Sequence, residues 1–110
     1  MKLPNGDRAV VDIEKLREYW LSFEHPRGLH KARVFAHSIG LRAEHAEEFW
    51  EALLAAAFSE EATAGEQDDY GQRYVVDFMI ERVGRQAMVR SAWIVRRGED
   101  IPRLTSCYVL

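Results

Sequence analysis

The chain has 110 residues, 47% apolar and 30% charged, the size and balance of one folded domain, here residues 1–110, and not of a disordered segment. A single cysteine, Cys107, excludes an internal disulfide and a thiolate metal site and fits a reducing compartment. The net charge of −3 argues against a nonspecific nucleic-acid coat protein. No stretch approaches the roughly 18–20 apolar residues of a membrane span, and none behind Lys2 makes a signal peptide, so a soluble cytoplasmic protein is expected.

In chain order, residues 8–11 read as a short extended piece and Asp12 as a helix N-cap. Ile13, Leu16, Trp20 and Phe23 recur at helical spacing, which predicts a helix over 13–22. Pro26 and Gly28 make a loop. A second helix is expected over 29–39, with Leu29, Ala32, Phe35, Ala36 and Ile39 on one face and Gly40 as its terminator. A third is expected over 43–58, with Ala46, Phe49, Trp50, Leu53, Leu54 and Ala57 as its stripe. Residues 60–69 are polar and read as a loop, with room for a short edge strand.

From there the period changes. Residues 72–81 alternate, with Tyr74, Val76, Phe78 and Ile80 on one face. Residues 82–85 read as a hairpin turn, 86–97 as a long strand rich in Val, Ile and Trp, 97–102 as a second turn, and 103–110 as a last strand. Helices followed by strands imply an α+β fold, with the helices on one face of a three- to four-stranded antiparallel sheet and the other face partly open. Trp20, Trp50 and Trp93 fall in periodic positions and read as core.

The charge is unevenly spread. Residues 25–43 carry Arg27, Lys31, Arg33 and Arg42 with no acid, and residues 82–103 carry a net formal charge of +4. Two basic segments in an acidic chain are able to form one positive face; scattered, solvated charges are the alternative. On the second helix His30, Arg33 and His37 fall within roughly 60° of one another, and Lys31 projects on the opposite flank. Histidine suits proton transfer, and Arg or Lys suits phosphate. On the last strand, alternation places Arg103, Thr105 and Cys107 on one face and Leu104, Ser106 and Tyr108 on the other. Arg103 beside a hydroxyl is a plausible phosphate-binding pair, while hydroxyls satisfying a strand edge are the plainer explanation of Thr105 and Ser106. His30 and His37 lie about 10.5 Å apart in helical rise, too far to share a metal, and HExxH is absent, so no metal is expected. Walker, dinucleotide-glycine and GxSxG motifs are also absent, so no cofactor is expected. Cys107 reads as a buried strand residue.

Two segments, His25-Pro-Arg-Gly-Leu-His-Lys-Ala-Arg-Val-Phe35 and Ser91-Ala-Trp-Ile-Val-Arg-Arg-Gly-Glu-Asp-Ile-Pro-Arg-Leu-Thr-Ser-Cys-Tyr-Val109, resemble a bacterial family of unknown function found alone and as C-terminal domains of toxin-like or phage-related proteins. The element order is also similar to the superfamily of small toxin ribonucleases that includes barnase, the EndoU enzymes, the colicin tRNases and the RelE toxins. That second resemblance implies metal-independent RNA cleavage. It points to His30, Lys31, Arg103, Thr105 and Ser106 as catalytic positions, with Arg27, Arg33 and Arg96 added as phosphate contacts from the basic segments. Many such toxins are basic, and this chain departs from that pattern. The expected function is therefore a ribonuclease toxin with RNA and a cognate antitoxin as partners. The alternative is a non-catalytic interaction module such as an antitoxin, immunity or accessory protein.

Overall fold

The computed structural model describes residues 1–110. Asp12 caps the first helix as its sequence position predicts: its carboxylate accepts the backbone N–H groups of Glu14 and Lys15 at 3.0 and 3.4 Å, the orphan donors of a helix start. The helix, α1, begins as Ile13–Lys15 and widens into a π turn over Leu16–Trp20. It ends two residues earlier than its periodicity predicts, leaving Phe23 exposed.

Helix α2 is Leu29–Ile39. Its predicted inner face holds, with Ala32, Phe35 and Ile39 fully buried. Gly40, at φ 66°, terminates it, and its N–H bonds the Ala36 carbonyl at 3.0 Å, the single 5→1 bond of an αL cap. Arg82 completes this cap from the sheet. Its guanidinium donates to the Ile39 and Gly40 carbonyls at 3.1 and 2.9 Å and to Glu48 at 2.5 Å, placing a cation at the negative end of the helix. Helix α3, Ala46–Ser59, follows a 3-10 turn over Ala43–His45. Trp50 is half-buried and spends its indole N–H on the Val11 carbonyl at 2.9 Å.

The strands are β1 Thr63–Asp68, β2 Gly71–Arg82, β3 Arg85–Arg96 and β4 Pro102–Val109. They form one antiparallel sheet in chain order. The polar stretch expected chiefly as a loop is thus largely an edge strand. It has no buried residue, so no apolar alternation marked it. Val83 and Gly84 turn β2 into β3, both at positive φ, 49° and 74°, as a two-residue turn between right-twisted strands requires.

Tyr74, Val76, Phe78 and Ile80 face the helices with Ala87, Val89, Ser91 and Trp93 of β3. Ser91 and Trp93 carry the one polar network in this layer. The buried Ser91 hydroxyl donates to the Val76 carbonyl at 2.7 Å and accepts the Trp93 indole N–H at 2.9 Å. Replacing Ser91 by Ala leaves that N–H without its partner in a dry core, and the expected loss is about 1–3 kcal/mol, read as a lower urea midpoint at unchanged slope. At the hairpin, Val83→Asn puts a residue that tolerates positive φ in place of one that does not. Its expected effect is a gain of about 1 kcal/mol, read in the same titration.

Candidate functional site on the open sheet face

The helices cover one face of the sheet, and the alternate positions look outward. Registration places Asp77 of β2 opposite Arg90 of β3, and Arg90 opposite Tyr108 of β4. The three form a row across the open face. The Arg90 guanidinium donates two parallel hydrogen bonds to Asp77, each 2.9 Å, the fork geometry in which arginine binds carboxylates and phosphates. The Tyr108 phenol stands on its other side, and the Lys31 ammonium of α2 lies 4.9 Å from the centre of the Tyr108 ring, within cation–π range. Beside the row Glu61, Thr63, Val75, Asp77 and Arg90 line an open cavity of about 450 Å³.

The electrostatics are those of a held ion pair. The Arg90 hydrogen bonds keep the Asp77 carboxyl below its ordinary range, against the opposing effect of partial burial. Asp77, and after it the Tyr108 phenol, push the Arg90 guanidinium further up. The chain's cations divide into paired and unpaired ones, and the unpaired set includes Arg85 and Arg96 of β3 as well as cations of α2 and the turn before it. Arg27, Lys31 and Arg33 enter no ion pair, whereas Arg8, Arg17, Arg73, Arg82, Arg90 and Arg103 each hold a carboxylate.

The sequence-derived residues divide between two surfaces. Lys31 reaches the sheet. His30 and Arg33 are exposed, and at about 100° per residue they point away from Lys31 with His37. Arg27 is exposed in the turn before α2. Arg103 sits opposite Ile94 and Tyr108 opposite Arg90, so they are four rungs apart, about 13 Å along the strand. Both border the open face, too far apart to grip one phosphate. Arg103 is also engaged, donating to Glu99 at 3.1 and 3.3 Å, which pushes its guanidinium up and holds Glu99 low. Arg96 lies exposed at the end of β3.

The alternation expected for β4 is corrected. A bulge at Thr105 interrupts it, with Trp93 opposite Leu104 and Ala92 opposite Ser106. Arg103 and Cys107 therefore face opposite sides. Ser106 and Tyr108 join Arg103 outside, and Leu104 and Cys107 pack in the core layer. The Thr105 hydroxyl donates to the Ala92 carbonyl at 3.0 Å and closes the bulge. Burial pushes the Cys107 thiol up, which removes the thiolate a nucleophile needs. Asp77, Arg90 and Tyr108 were not singled out from sequence; an acid and an arginine within two β-rich runs was the available sign, and pairing them required the register. No three His, Cys, Asp or Glu side chains gather as a metal would need.

A second and larger cavity, about 590 Å³, lies in the helical layer, bordered by Phe23, His25 and Arg42 among others. Arg42 covers the Phe23 ring at 5.3 Å, and the buried Nδ1 of His25 has no hydrogen-bond partner.

Helices on one side of a four-stranded antiparallel meander, with a charged row on the other, define a layered α+β domain. A solved structure with this fold, at a TM-score of 0.70 and 13% identity, is a contact-dependent growth inhibition toxin–immunity protein complex from Klebsiella pneumoniae 342; the match covers 92% of this chain and 99% of that one. By sequence the chain belongs to the DUF6883 family, described as a domain of unknown function, which matches residues 2–110. No curated protein matches it significantly.

The held ion pair makes a pH prediction. A carboxyl with a depressed folded pKa stabilises the fold above its unfolded value, and that contribution is lost as pH falls through the folded one. Asp77→Asn is therefore expected to be less stable than wild type at neutral pH. The two should converge as pH drops below about 4, which thermal melts across that range would record.

Proposed function

We propose that the chain is the RNA-cleaving toxin of a toxin–immunity or toxin–antitoxin pair, acting in the cytoplasm without a metal, with its phosphate site on the open sheet face. The observation that carries this reading is Lys31, a cation without a carboxylate that lies on the Tyr108 ring next to Arg90. The fold shared with a growth-inhibition toxin–immunity complex and the resemblance to metal-independent ribonucleases support it as analogy.

In this reading one phosphodiester lies between Lys31 and Arg90. The ribose 2′-oxygen attacks phosphorus as the P–O5′ bond breaks, the departing 5′-oxygen takes a proton from water and leaves a 2′,3′-cyclic phosphate, and the two cations offset the charge on the phosphorane. A phosphate that draws Arg90 away removes the main group holding Asp77 low. Binding then raises the basicity of a carboxylate placed to accept the 2′ proton. His30, on the flank of α2 turned away from Lys31, stands outside this site. Ser106, on the same face, and Arg103 farther along contact the neighbouring nucleotide, and Thr105 holds the bulge that presents them. Arg27, Arg33 and Arg96 attract the backbone at longer range.

A second reading, a non-catalytic partner such as an immunity protein, is favoured by the engagement of Arg103 with Glu99 and of Thr105 with Ala92. Incubating purified protein with total RNA in the presence of a chelator separates the two. The nuclease reading expects cleavage by wild type and a loss of about 100-fold in Lys31→Ala with an unchanged melting temperature. Intact RNA with every variant, wild type included, favours the non-catalytic partner.

A further inference from the structure

The two edges of the sheet are finished differently. Beside β4 the chain supplies its own cover: Val10 pairs in parallel with Arg103, the Val10 N–H bonding the Pro102 carbonyl at 2.9 Å and the Leu104 N–H bonding the Val10 carbonyl at 3.0 Å. At the other edge β1 has β2 as its sheet neighbour, and all six of its residues are exposed. Its cover stops where it begins. Lys2 bridges Glu61 in antiparallel fashion, and the Ala62 N–H donates outward to the Met1 carbonyl at 2.6 Å. Backbone direction alternates along a strand, so Ala64, two residues on, presents its N–H and carbonyl outward in the same sense.

The edge carries one bulge, between Ala64 and Gln67, and its only charges are the acids Glu66 and Asp68. It contains no lysine and no proline, the residues that commonly blunt exposed edges. Thr63, Ala64 and Gly65 are small, which lets another backbone approach. Its charge has one sign: from Phe58 to Gln72 there are five acids and no base. Of these, Glu60, Glu66 and Asp69 hold no ion-pair partner, while Glu61 and Asp68 are taken by Lys2 and Arg73.

We infer that β1 is a docking edge for a strand of a partner protein, one that carries lysine or arginine at alternate positions and extends the sheet beyond β4, β3 and β2 by pairing with Thr63–Asp68. Main-chain hydrogen bonds to Ala64 supply the affinity, and the unpaired acids select a basic strand over others. A second copy of this chain fits the edge poorly, because it would set two edges of the same negative sign side by side. The inference does not depend on the nuclease reading, since β1 lies across the sheet from Lys31.

The test uses the whole chain and a short synthetic peptide alternating lysine with valine and threonine, followed by amide NMR and hydrogen exchange. Shifts and added protection confined to residues 62–68 are expected, with binding weakened by salt. The same peptide with glutamate for lysine should bind at least about tenfold more weakly. Ala64→Pro, which removes an outward donor at a position where an edge strand accepts proline, should abolish binding and leave the melting temperature near wild type. If that variant is unstable, Glu66→Lys with Asp69→Lys serves in its place and should reverse the peptide preference. Equal binding of both peptides, perturbations outside β1, or a wild-type dimer in light scattering that Ala64→Pro converts to monomer would each overturn the assignment.

Discussion

The bulge at Thr105 decides what the last strand does. An uninterrupted β4 would send Arg103 and Cys107 to the same side and Tyr108 to the other. With one extra residue opposite the Ala92–Trp93 step, Leu104 and Cys107 enter the core while Arg103, Ser106 and Tyr108 all look outward. Bulges redirect side chains in this way and are common beside functional sites. Here the bulge is fastened by the hydroxyl of the inserted residue, which bonds the carbonyl it would otherwise leave unmatched. The charged row on the open face exists because the strand slips by one residue at this point.

The inner face supports that row mechanically. Ser91 and Trp93 lie on the same strand as Arg90, on its other side, and their buried hydrogen bonds fix the rotamer of the largest side chain in the core. The row itself is held by charge. Arg90 is tied down by two bonds to Asp77 and stands beside Tyr108, and α2 delivers Lys31 to within 4.9 Å of the centre of that ring. A buried apolar layer thus sets the spacing of groups on the wet layer.

Much of this was legible in the sequence wherever one face of an element is dry. The stripes Ala32, Phe35, Ile39 and Phe49, Leu53, Ala57 located α2 and α3, Asp12 marked the start of α1 and Gly40 the end of α2, and the Tyr74–Ile80 alternation marked the inner face of β2. The π turn after Lys15 and the edge strand β1 were harder. The first keeps an apolar pattern while ending early, and the second has no apolar pattern at all. Lys31 was legible as a cation on its own flank of α2. Its companions were not, because Asp77, Arg90 and Tyr108 come from three strands and meet only through register. The sequence offers Arg103 as a free cation and Thr105 as either its phosphate-binding companion or a hydroxyl satisfying a strand edge; the partners themselves, Glu99 and the Ala92 carbonyl, depend on a turn and a bulge that composition does not reveal.

The central claim is that Lys31, Tyr108 and Arg90 form one anion-binding surface on the open face. Its most direct measurement is an NMR titration with a short 2′-O-methyl RNA, which binds like substrate and resists cleavage, following the Arg90 side-chain Nε–H, the Tyr108 ring and the Asp77 carboxyl. All three are expected to move together with one affinity, with the Asp77 carboxyl rising toward its ordinary range as Arg90 is drawn to phosphate. Saturable binding that leaves these three groups unmoved, or no binding at low salt, would contradict it.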